Sequence, residues 1–113
     1  MSVAKMVEEF ATVTEQEGSP KLYLTLIGEE YKEWQDEFGC GTPTRELKEL
    51  SDLVYVIFGY ARAMGYDLET AVKRVHENNL GRCVQPDGTI QRRVDGKIIK
   101  NENYERVYLE DLV

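Results

Sequence analysis

The chain has 113 residues, 42% of them hydrophobic, and a formal charge of −7 from 14 basic and 21 acidic side chains. That length suits a single domain, residues 1–113, with a real core, and the apolar share excludes bulk disorder. The acidity excludes a nonspecific binder of nucleic-acid polymers. No apolar run approaches the roughly 18 residues of a membrane-spanning helix, and no basic-then-apolar leader opens the chain, so a cytoplasmic protein with no membrane partner is expected.

Residues 3–17 read as a first helix, because Val3, Met6, Val7, Phe10 and Val13 keep the three-four spacing of one face. Ser19-Pro20 supplies a cap and a first helical proline, and a second helix is predicted over 20–38, with Leu22, Leu26, Ile27, Trp34 and Phe38 on its apolar side. Thr42-Pro43 repeats the signal and opens a third helix over 43–64. Its apolar face holds Leu47, Leu50, Leu53, Val54, Ile57, Phe58 and Ala61. Beside that face runs the line Glu49, Asp52, Val56, Gly59, Ala63, whose small residues invite another helix close. Gly65 ends the third helix, and Asp67 caps a fourth over 68–80 with Leu68, Ala71, Val72 and Val75 as its stripe.

After Gly81 the character changes. Asp95-Gly96 is a two-residue hairpin signal between Thr89–Val94 and Lys97–Lys100, so a small β-hairpin is predicted over 89–100. Two strands alone are marginal, so this hairpin needs the helices or a partner chain to pack on. The tail from Asn101 has no clear period. Cys40 and Cys83 are too few for a disulfide framework and read as free thiols.

The chemistry concentrates in the second helix, where Ile27-Gly28-Glu29-Glu30-Tyr31-Lys32-Glu33-Trp34 places three carboxylates among apolar residues. Ile27, Glu30 and Trp34 fall on one line, so Glu30 and Glu33 project from the stripe that should face the core. A buried, unpaired carboxylate costs several kcal/mol unless it is neutralised or binds a cation. Glu49-Leu50-Ser51-Asp52 repeats the three-residue spacing on the third helix. Two helices, each offering two carboxylates, can converge on one site of hard oxygen ligands, suited to magnesium or manganese. Removing Glu29, Glu30, Glu33, Glu49 and Asp52 leaves a net charge of only −2, so much of the acidity belongs to this site. The competing reading is a solvated helix face making local pairs such as Glu29 with Lys32. Glu37 and Glu46 read as surface residues. Trp34, Phe10 and Tyr31 read as core, and His76 as a structural hydrogen-bonding residue.

Glu29-Glu30-Tyr31-Lys32-Glu33 followed by Glu49-Leu50-Ser51-Asp52 resembles the EExxE…ExxD signature of the all-α nucleoside triphosphate pyrophosphohydrolases. These are the MazG-like enzymes, related to phosphoribosyl-ATP pyrophosphohydrolase and dimeric dUTPase. Val75-His76-Glu77-Asn78-Asn79-Leu80-Gly81-Arg82 is similar to a later segment of small members, with Arg82 where lysine is usual. Asp95–Tyr104 is similar to their closing DGKxxKGPNY stretch, with Asn101-Glu102 in place of glycine-proline. The resemblance covers about residues 20–104. It implies a mainly α, four-helix MazG-like bundle completed by oligomerisation, as a homodimer or homotetramer. It also implies hydrolysis of a nucleoside triphosphate to the monophosphate and pyrophosphate with Mg2+, Mn2+ being the other candidate. By position, Glu30, Glu33, Glu49 and Asp52 would ligate metal, and Glu29 would assist as base for the attacking water. Asn79, Arg82, Lys97 and Lys100 would hold phosphates. Small members act on deoxynucleoside triphosphates, and dGTP is favoured among them here. The alternatives are a phosphoribosyl-ATP or dUTP pyrophosphohydrolase and a non-catalytic helical oligomerisation module. A di-iron bundle fails because Lys73, not glutamate, stands three residues before His76.

Overall fold

The computed structural model describes residues 1–16, 18–101 and 105–113. Glu17, the expected end of the first helix, and Glu102, Asn103 and Tyr104 of the closing motif lie outside the described residues. Helix α1 spans Val3–Val13, α2 Pro20–Glu37, α3 Pro43–Met64 and α4 Leu68–Cys83, with a 3-10 turn at Glu110–Leu112. The chain groups into two compact units, residues 1–69 with Val113, and residues 70–112.

The starts of α2 and α3 are built as the sequence predicts, and Ser2 adds a cap to α1 that the sequence reading did not single out. Ser2, Ser19 and Thr42 each accept a hydrogen bond from the backbone N–H three residues on, and Pro20 and Pro43 occupy the first helical positions. Gly65 closes α3 at φ +75°, with Gly65 and Tyr66 amides donating to the Arg62 and Ala61 carbonyls. α1 stops four residues short of the predicted end. Glu15 adopts φ +55°, and the Glu15 and Gln16 amides donate to the Thr12 and Ala11 carbonyls, so the same closing motif forms without a glycine. The Thr12 and Thr14 hydroxyls also donate back to the Glu8 and Phe10 carbonyls, as β-branched hydroxyl residues do where a helix ends.

In the first unit α2 packs on α3, and α1 packs on α3. Val7, Ala11, Tyr23 and Ala61 are the buried apolar residues among those described, and Phe10 meets Tyr55 edge-on at 5.7 Å between ring centroids. Tyr23 is sandwiched between Gly18 and Gly59, where an added Cβ would fall within its ring. The small-residue line on α3 therefore does admit a neighbouring helix. It continues as one antiparallel register. Glu37 pairs with Arg45 at 2.9 Å, Glu33 lies beside Glu49, Glu30 lies beside Asp52, and Tyr23 covers Gly59. Glu37 is thus an ion-paired, half-buried residue rather than a surface acid.

Much apolar surface stays outside this unit's core. Leu47, Leu50, Val54 and Ile57 lie along one exposed stripe of α3. Val3 and Met6 of α1, with Leu47, Leu50, Val54 and Tyr55, line a groove of about 370 Å³ there. Phe10 and Tyr31, expected in the core, are 45% and 48% exposed.

In the second unit α4 continues through Gly81 to Cys83, three residues beyond the predicted stop. A glycine inside a helix costs about 1 kcal/mol, which does not break it. The end comes where the Asn101 amide donates to the Arg82 carbonyl at 2.7 Å. The predicted hairpin does not form strands among the described residues. It is a turn with one antiparallel bridge, Arg92 to Ile98. The turn is centred on Val94-Asp95, one residue earlier than predicted: the Gly96 amide donates to the Arg93 carbonyl, and Gly96 takes φ +90°. Asp95 fixes it by pairing with Arg93 at 2.6 Å and accepting from the Lys97 amide. The tail is strapped to α4 by Arg74, which donates to both Asp111 carboxylate oxygens and to the Tyr108 carbonyl, and by Asn78, which donates to the Glu105 carbonyl. No described helix is long and apolar enough to cross a membrane. Both cysteines are free thiols.

Candidate active site

The acids meet because two equal spacings face each other. Glu30 and Glu33 are three residues apart on α2, Glu49 and Asp52 three apart on α3, and the helices run antiparallel, so each acid finds one opposite. Glu30, Glu49 and Asp52 each offer a carboxylate oxygen, and the three oxygens lie within 4.8 Å of one another. All three residues are half-buried.

Glu30 Oε2 and Glu49 Oε2 are buried without a hydrogen-bond partner among the described residues. Carboxylates are acceptors only, so acids facing acids can be satisfied by a shared proton or a cation and by little else. Burial first, then the charge of Glu33, then those of Asp52 and Glu49, push the Glu30 carboxyl above its ordinary value of 4.5. Glu49 is pushed the same way by burial and by Glu33, against the opposing pull of Lys48. Glu33 itself is exposed, beside both. Glu29 is exposed and stands outside the trio.

Among the described residues, Lys48 is the cation paired with this cluster. Lys48 Nζ lies 2.5 Å from Asp52 Oδ2, in an i,i+4 pair along α3. Lys48 also lines a cleft of about 370 Å³ that opens beside the acids, walled by Phe10, Gln16, Tyr23, Leu26, Tyr55 and Val56. The motif reading missed Lys48 and this cleft. Lys48 was legible as the residue four before Asp52, but the aromatic wall takes Phe10 from α1, Tyr23 from α2 and Tyr55 from α3, and no spacing within one helix reveals it.

The remaining predicted residues belong to the second unit. Asn79 and Arg82 are half-buried on α4, and Arg82 Nε has no hydrogen-bond partner among the described residues. Lys97 and Lys100 are exposed, on either side of the Ile98 bridge. His76 is exposed on α4 rather than set near the core.

The profile of the phosphoribosyl-ATP pyrophosphohydrolase family matches residues 3–79. Among solved structures, the chain is similar to a MazG-like pyrophosphohydrolase of cyanophage S-2L, determined with dGDP and three catalytic Mn2+ ions per active site. The two share 18% identity over 93% of this chain and 97% of that one, with a TM-score of 0.62, a likeness of fold. Comparison with curated proteins gives no match. The helical fold and the family profile together define an all-α nucleoside triphosphate pyrophosphohydrolase. The chain belongs to the phosphoribosyl-ATP pyrophosphohydrolase family, and its activity is that of a nucleotide pyrophosphohydrolase.

Proposed function

We propose that residues 1–113 act as one domain that hydrolyses a deoxynucleoside triphosphate, dGTP first among them, to the monophosphate and pyrophosphate. The reaction uses Mg2+ or Mn2+ held by Glu30, Glu33, Glu49 and Asp52. The observation that carries this reading is the pair of buried, unpartnered oxygens on Glu30 and Glu49, facing Asp52 within 4.8 Å. The donor set is all oxygen, which suits these hard cations.

A divalent ion bound there supplies charge neutralisation and polarises the phosphate for attack. The chain's own residues do the rest. Glu29, exposed beside the trio, accepts the proton of the attacking water. Asn79, Arg82, Lys97 and Lys100 hold phosphate oxygens, where fixed cations stabilise charge that develops as the anhydride breaks. The cleft walled by Phe10, Tyr23 and Tyr55 receives the apolar part of the nucleoside next to the acids. The substrate preference draws support from the cyanophage enzyme, which holds dGDP and Mn2+ on the same fold.

A homodimer or homotetramer completes the bundle by covering the exposed stripe Leu47, Leu50, Val54, Ile57. We place the enzyme in the cytoplasm. A second reading, phosphoribosyl-ATP as substrate, is favoured by the family profile itself. Pyrophosphate release from a panel containing dGTP, the other deoxynucleotides, dUTP and phosphoribosyl-ATP, with and without Mg2+, tests the activity and separates the two readings.

A further inference from the structure

Lys48 is the only basic side chain among the described residues lining the cleft beside the acids. Its ammonium sits 2.5 Å from Asp52 Oδ2, with the Lys48 side chain 68% exposed and Asp52 34%. On a helix the favoured order for an i,i+4 pair is acid first and base second, and here the order is reversed. Helix geometry brings the two side chains together, and the reversed order leaves the pair a weak one. Glu49 and Glu30 add to the negative charge beside the ammonium, which stays largely exposed. An exposed ammonium on a flexible four-carbon stem gives up such a partner easily.

We propose that Lys48 is the built-in counter-cation of this site, holding Asp52 in the metal-free chain, ceding it to an entering divalent ion, and then pairing with substrate phosphate in the cleft. The inference rests on the reading of Glu30, Glu49 and Asp52 as metal ligands. Asp52 Oδ2 cannot hold the ammonium and ligate a dication at once without bringing like charges together. The cleft offers the displaced ammonium a place beside Glu30 and Asp52, where phosphate bridged to the metal would lie. Metal and phosphate binding are then coupled through one side chain: the metal frees Lys48, and phosphate gives it a new partner.

Calorimetric titration of Mn2+ alone into wild type, K48Q and K48R tests the first half. K48Q is expected to bind Mn2+ about three- to tenfold more tightly than wild type, and K48R to stay near wild type. Circular dichroism confirms that each variant keeps its helices. Titration of inorganic pyrophosphate at saturating Mg2+ tests the second half, with K48Q expected to bind it about three- to tenfold more weakly and K48R to restore binding. Equal or weaker Mn2+ binding by K48Q overturns the counter-cation role. Pyrophosphate binding that is absent from wild type, or equal in K48Q, overturns the phosphate role. Failure of wild type to bind Mn2+ at all overturns the metal site, and this inference with it.

Discussion

The ring of Tyr23 on α2 packs against Gly59 of α3, two helical turns along the same register that brings Glu30 to Asp52. The close approach of the two backbones and the meeting of the acids are therefore one feature. A Cβ at Gly59 would fall within the tyrosine ring, so either the ring or the helix must move. Gly59→Ala is expected to cost about 1–3 kcal/mol in urea unfolding, the usual range for an overpacked core. It should also weaken Mn2+ binding, because spreading the helices separates Glu30 from Asp52. A variant as stable as wild type would show that the seam has slack.

The pH dependence follows from Glu30 and Glu49, whose carboxyls are pushed above 4.5 by burial and by neighbouring acids. The folded chain then binds protons that the unfolded chain has released. That stabilisation is fully present below the ordinary carboxylate value and is lost as pH rises through the raised values. Without metal, the melting temperature should fall as pH climbs from about 4.5 toward neutrality, and Glu30→Gln should flatten the slope and raise stability at neutral pH. Mn2+ should reverse the trend, since it needs the carboxylates ionised. A metal-free chain that gains stability with pH would contradict the electrostatic account.

Removal of a ligand should abolish the reaction without unfolding the helices. Glu33→Gln and Asp52→Asn are each expected to lower turnover by at least about 100-fold while far-UV circular dichroism is unchanged. Near wild-type rates in either variant would remove that residue from the site.

The exposed stripe on α3 predicts the assembly state. Light scattering at micromolar concentration should report a dimer or tetramer, and Leu50→Lys or Val54→Lys should shift it toward monomer. A monomeric wild type would refute the expectation.

What was legible in the sequence was what a short stretch of chain decides for itself. Ser19-Pro20 and Thr42-Pro43 start α2 and α3 because cap and proline act within one turn. The equal spacings Glu30–Glu33 and Glu49–Asp52 pointed to facing acids because an antiparallel pair preserves them. What failed to show depends on contacts between distant segments or on small balances. Glu15 closes α1 in a conformation that usually calls for glycine. α4 passes through Gly81 and is closed by the amide of Asn101, far along the chain. The turn at Val94-Asp95 slips by one residue because Asp95 pairs with Arg93 and caps Lys97. Phe10 has helical core spacing, yet it stands at the wall of a cleft.

The most direct measurement is pyrophosphate release from the nucleotide panel by the purified full chain, with Mg2+ or Mn2+ and then with excess chelator. The account predicts monophosphate and pyrophosphate in equal amounts, fastest with dGTP among the deoxynucleotides, and no turnover once the metal is removed. Turnover that survives chelation, or release of inorganic phosphate in place of pyrophosphate, would contradict it.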